Sequence, residues 1–127
     1  MIRRLLLILA AVCAAAAPLS ASAQSARTLD AFVAEANRIP MNATAVLRPS
    51  ARRLMGEAND AFKVVGDEIR AARAAGRTPP ACPPEKISLN AQQLLAFLNA
   101  IPQPRRARMS VPDGFRTWMA DRYPCRA

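Results

Sequence analysis

The chain has 127 residues, three cysteines, no histidine, and eighteen basic against nine acidic side chains, a net charge of +9. The missing histidine removes the commonest general base and the commonest metal ligand, and the length confines the chain to one domain with a modest core. The positive balance directs attention to acidic partners or anionic surfaces.

The first stretch reads as an export signal. Arg3 and Arg4 precede an apolar run from Leu5 to Ala17, which Pro18 ends, and Ala21-Ser22-Ala23 offers small residues at a cleavage site. The run is shorter than the roughly 20 apolar residues a spanning helix needs. Residues 1–23 are therefore expected to be a signal peptide cut after Ala23, with membrane contact only through that peptide. Residues 24–127 would then be a single helical domain, periplasmic or secreted. A lipoprotein signal at Cys13 is disfavoured by the bulky Val12 before it. Cleavage removes Arg3, Arg4 and Cys13, which lowers the net charge from +9 to +7 and leaves two cysteines.

Leu29, Phe32, Val33 and Ala36 share one helical face and predict a first helix over residues 28–39, capped by Thr28 and stopped by Pro40. Residues 40–49 form a connection with a short turn at Thr44 to Leu47. A long second helix is expected over residues 50–75, with Ser50 as its cap. Its apolar stripe runs through Leu54, Ala58, Ala61, Val65, Ile69 and Ala72, widened by Met55 and Phe62. Gly76 supplies the left-handed stop, with Arg70, Arg73 and Arg77 near the negative end of the helix dipole. Gly56 and Gly66 each cost about 1 kcal/mol against alanine inside a helix, so each is expected to mark a close helix contact.

Pro79-Pro80 and Pro83-Pro84 make the next segment extended. A third helix begins with Ser88 as cap and carries Ala91, Leu94, Leu95 and Leu98 on its apolar face, ending at Ile101-Pro102. Ser110-Val111-Pro112-Asp113 has the form of a capping box with proline in the first turn, opening a fourth helix with Phe115, Trp118 and Met119. No strand is expected. The fold class is all-α, a small bundle of about four helices, whose aromatics Phe32, Phe62, Phe97, Phe115 and Trp118 form a shared core.

Two cysteines in an exported chain with no accompanying ligand residues read as one structural disulfide. Cys82 precedes the third helix and Cys125 follows the fourth, so the bridge closes a helical hairpin. The two are not in a Cys-x-x-Cys arrangement, which sets aside a redox role. The acids are scattered, and the one adjacent pair, Asp67-Glu68, does not share a helix face. Lys63, the best remaining base, has no serine placed beside it by the pattern. No glycine-rich phosphate loop, nucleophile elbow or metal spacing is present. The chain is thus expected to be non-enzymatic, without catalytic, cofactor-binding or metal-binding residues and without a cofactor. Arg105-Arg106-Ala107-Arg108 is the densest basic cluster; with Met109 it forms the candidate partner-binding connection between helices three and four. Nucleic acid is not the expected partner, because no aromatic interleaves with the arginines for stacking and export removes the chain from it.

The stretch from Cys82 to Cys125 resembles the Rap/Tai family of immunity proteins. The shared features are a Cys-x-Pro opening (Cys82, Pro84), a glutamine early in the following helix (Gln92 or Gln93), a leucine-rich helix ending in Ile101-Pro102, and a closing Tyr123-Pro124-Cys125. They cover about a third of the chain. Family members often carry a further cysteine before a glycine-containing helix; Gly56 with Asp60-Ala61-Phe62 matches that helix here, but no cysteine precedes it. The resemblance implies an exported helical dimer that binds and inhibits a secreted type VI amidase effector acting on peptidoglycan. The alternative from the residues alone is a general periplasmic binding or chaperone-like helical module with a basic surface.

Overall fold

A computed structural model describes residues 27–126. The expected signal peptide and its cleavage point lie outside the described residues. The described chain is all-α: α1 (Leu29–Ala36), a 3-10 turn (Ala45–Leu47), α2 (Pro49–Ala74), α3 (Ala91–Ala100), a single turn α4 (Gln103–Arg106) and α5 (Val111–Arg122). Five helices replace the four expected because the proline- and arginine-rich connection itself winds into α4. No helix among the described residues is long and apolar enough to cross a membrane.

The helix starts follow their local chemistry, with two corrections. Thr28 accepts from the Ala31 N–H at 3.2 Å, and Ser110 and Asp113 form a reciprocal capping box. Ser50, however, lies inside α2, which begins one residue earlier at Pro49 because proline needs no N–H partner in the first turn. Ser88 is likewise passed over. Asn90 caps α3, its side-chain oxygen accepting from the Gln92 and Gln93 N–H groups at 2.9 and 3.2 Å. α2 stops at Gly76, whose φ of 68° is in the left-handed region that lacks a steric penalty only for glycine.

The core is one cluster at the junction of α1, α2, α3 and α5. Leu29, Val33, Val65, Leu98 and Phe115 are its most deeply buried large side chains. Phe115 sits between Phe32 (ring centroids 5.8 Å apart, edge-on) and Phe62 (4.6 Å), and the ring contacts continue through Trp118 to Tyr123. Such pairs contribute about 0.5–1.5 kcal/mol each beyond the area they bury. Phe97 packs on the cluster from the side and makes none of these ring contacts.

The two termini of the helical core are tied to each other at their starts. The caps of α1 and α5, Thr28 and Ser110, form an antiparallel bridge, and the Leu29 N–H donates to the Met109 carbonyl at 2.8 Å. This places Leu29 directly over α5 at Gly114, where an added Cβ would lie 2.6 Å from a Leu29 methyl. Gly114 is therefore the close-contact glycine. Gly56 has open space where a Cβ would stand, and Gly66 faces only the Arg70 side chain, so neither marks the helix contact expected of it.

The Cys82–Cys125 disulfide is present, with Cα atoms 4.9 Å apart. It closes the C-terminal helical hairpin that contains α3 and α5, which pack on each other, and it also holds α5 in a wider contact. α5 packs most extensively on α2, not on α3, and Cys82 lies in the extended segment well before α3 starts. That segment is held at the C-terminal end of α5 by the bridge and by the Cys82 N–H donating to the Tyr123 carbonyl at 2.8 Å. The neighbouring Ala81 is fully buried and serves as the apolar anchor of the same attachment.

Candidate functional site: an apolar groove between α2 and α3

α2 packs on α1 and α5 but scarcely touches α3. The space between them is a groove of about 560 Å³, walled by α2 from Ala51 to Phe62, by Leu89 to Leu98, and by the 41–46 segment. Its floor is the outer face of the core, Phe32, Leu54 and Leu98. The only polar side chains along it are Asn42, Asn59 and Gln92.

The local sequence explains why the groove stays open. The extended 77–90 segment, stiffened by its four prolines, sets α3 at a distance instead of letting it turn back against α2. The C-terminal end of α1 meets α3 through Asn37 and Asn99, whose amides exchange hydrogen bonds at 2.9 and 3.0 Å. That pair fixes α3 to α1 and so fixes one wall. The other wall is held by Glu35, which accepts from Arg53 on α2 at 2.6 Å and also pairs with Arg27. These two guanidinium groups, Arg53 first, hold the Glu35 carboxyl below its ordinary range.

The rim carries the exposed apolar residues. Met55 is 54% exposed, Val46 54%, Met41 49% and Leu89 48%, and all four line the groove. Met55 thus belongs to this surface and not to the buried stripe it was expected to widen. The helical periodicity places it beside that stripe, but no element covers it. Methionine suits a surface that must adapt to a partner.

A second, smaller trough of about 400 Å³ continues along α2, lined by Gly66, Ile69, Arg70, Arg73, Glu85 and Ile87; Phe62 and Leu89 border both spaces. Together they follow one side of α2 from Met55 to Arg73. Cations gather along it. Arg52 donates to the Val46 carbonyl at 3.3 Å at one end, and Arg73 donates to the Pro83 carbonyl at 3.4 Å near the other. Asp67 is shared by Lys63 and Arg70, whose hydrogen bonds lower its pKa, Lys63 contributing most. Among the described residues, no carboxylate lies within ion-pair distance of Arg38, Arg48, Arg52 or Arg73.

The connection expected to meet a partner is divided by the fold. Arg106 turns inward, its side chain only 13% exposed, pairing with Asp30 and donating to the Asn99 and Ile101 carbonyls at 3.1 and 2.6 Å. Met109 packs against the core. Arg105 and Arg108 remain exposed. The four residues therefore do not make one surface, and half of the cluster closes α4 onto α1.

On the opposite side, Arg116 of α5 holds Glu68 of α2 through two bonds of 2.8 and 2.7 Å and Asp113 at 2.7 Å. The Arg116 hydrogen bonds lower the Glu68 pKa; for Asp113 the larger cause is the Ser110 backbone N–H, with Arg116 adding to it. The Arg116 guanidinium is correspondingly raised, mainly by Glu68. This cluster clamps two helices. Among the described residues, no group of three or more metal-capable side chains occurs.

No family model, curated protein or solved structure matches this chain.

The groove was only half legible in the sequence. Met41, Val46, Leu47 and Leu89 are apolar residues outside the periodic stripes and Met55 stands at the edge of one, and that surplus is the signal that could have found it. Their assembly into one surface depends on the spacing of α2 from α3.

Proposed function

We propose that the protein is a non-enzymatic exported binding protein whose contact surface is the α2–α3 groove, acting as an immunity-like inhibitor of a peptidoglycan amidase. The observation that carries the reading is the open, almost wholly apolar groove on a disulfide-closed scaffold. Contiguous exposed apolar surface of this kind is characteristic of protein interaction sites. The inhibitor role rests on the resemblance of residues 82–125 to the Rap/Tai immunity proteins. The 105–109 connection is set aside as the principal surface, since Arg106 and Met109 are used in holding the fold together.

The test is direct. Purified, oxidised protein is added to a peptidoglycan amidase encoded beside its gene, and muropeptide release is measured. Stoichiometric inhibition that persists at moderate salt is expected of an apolar interface. Absence of any neighbouring amidase, or undiminished hydrolysis at excess inhibitor, would sink the inhibitor role. Binding to many acidic proteins that disappears at moderate salt would favour a general envelope module with a basic surface.

A further inference from the structure

We infer that the groove receives an amphipathic helix of a partner protein, its apolar stripe facing the floor and acidic side chains along its flanks. This deepens the binding-protein reading above and rests on it, though not on the partner being an amidase.

First, the shape fits a helix. The two spaces share Phe62 and Leu89 and follow α2 from Met55 to Arg73, about 27 Å at the rise of an α-helix. The exposed side chains to be covered, Met41, Val46, Met55 and Leu89, come from three separate segments, a breadth that suits a helix about 10 Å across better than a single acyl chain. The described residues contain no strand edge for an extended peptide to join, which sets aside strand addition; a long, almost wholly apolar groove suits the helix-in-groove mode.

Second, the charge selects the occupant. Among the described residues, no charged side chain lines the groove itself; in the continuing trough, beside Glu85, Arg70 is paired with Asp67 while Arg73 has no carboxylate within ion-pair distance. Arg52 at the other end has no carboxylate partner among the described residues. Acidic flanks on the incoming helix complement that pattern. Third, the same charge opposes a second copy as occupant. Each chain would bring a net +7 once the expected signal is removed, and apposing two such surfaces is repulsive.

The experiment uses the oxidised protein and three fluorescent synthetic peptides of about 18 residues, the length that spans the groove. One carries leucines at i, i+3, i+4 and i+7 with glutamates beside them. A second has lysines for the glutamates, and a third scrambles the first. The acidic peptide is expected to bind saturably and gain helical circular dichroism. Met55→Glu and Leu89→Glu, both at exposed positions and checked for an unchanged melt, should weaken it by at least about tenfold, a loss of roughly 1.4 kcal/mol. Arg52→Glu with Arg73→Glu should weaken the acidic peptide and strengthen the lysine one.

Equal binding of the scrambled peptide, or no effect of Met55→Glu, would overturn the proposal. So would a dimer seen by sedimentation that Met55→Glu dissociates, or displacement of the acidic peptide by dodecanoate at submicellar concentration. Amidase inhibition without binding of the acidic peptide would leave the inhibitor role standing and remove this one. Peptide binding without amidase inhibition would do the reverse.

Discussion

Leu29 on α1 and Gly114 on α5 occupy space that only a missing side chain makes available: a Cβ at residue 114 would stand 2.6 and 2.7 Å from the two Leu29 methyl groups. Leu29 is fully buried, and its N–H is already fixed to the Met109 carbonyl, so it has little freedom to withdraw. Gly114→Ala should destabilise by about 2 kcal/mol, the scale of core overpacking. Leu29→Ala alone should cost about 3 kcal/mol through its cavity. Combined, the two should cost clearly less than their sum, because the second change relieves the first. Urea melts of the four proteins check this, and simple additivity would show that the contact relaxes elsewhere.

The disulfide supplies a second expectation. Cys82 and Cys125 close a loop with a sequence separation of 43, for which loop-closure entropy gives a stabilisation of about 4 kcal/mol. Cys82→Ser and Cys125→Ser should destabilise equally, and reductant should abolish the difference between either variant and the parent. Denaturant melts with and without reductant read this out. Strongly unequal losses would show that one sulfur packs or reacts on its own account.

The arginines of the 105–108 cluster should separate by role. Arg106→Ala removes bonds to Asp30 and to two backbone carbonyls from a largely enclosed side chain, and should cost about 2 kcal/mol. Arg105→Ala and Arg108→Ala should lie within about 0.5 kcal/mol of the parent, as exposed substitutions usually do. Thermal melts of the three variants suffice. A silent Arg106→Ala would mean that α4 does not depend on this link.

Acid stability follows from four carboxylates. Glu35, Asp67, Glu68 and Asp113 all have pKa values lowered in the folded state. A lowered folded pKa means the unfolded chain binds protons first, so the stabilisation is fully present above the ordinary carboxylate pKa of about 4 and is lost as pH falls through the folded values. The melting temperature should therefore be flat from neutral pH to about 5 and fall steeply below about 4. Arg116→Met takes away the main cause at Glu68 and a lesser one at Asp113. That variant should start about 1 kcal/mol less stable at neutral pH and lose less on acidification. Parallel curves for variant and parent would argue against the clamp as the source of the pH dependence.

Local chemistry in the sequence was enough for most of the helices and for the covalent link. Leu29, Phe32 and Val33, and the α2 stripe from Leu54 to Ala72 apart from the half-buried Ala58, are buried as their spacing requires, because one face of a helix points one way whatever it packs against. Thr28, Ser110 and Gly76 act within their own turn, and their roles were readable for that reason. The pairing of Cys82 with Cys125 was likewise legible. Tertiary structure decided the remainder, since each remaining feature depends on which elements meet. Gly114 became critical, and Gly56 and Gly66 unimportant, through the placement of Leu29. Arg106 turned inward because Asp30 lies across from α4. Met55 stayed exposed because a proline-stiffened segment and the Asn37–Asn99 pair hold α3 away from α2. Periodicity records which residues are apolar, but only the packing of one helix against another determines which of them are covered.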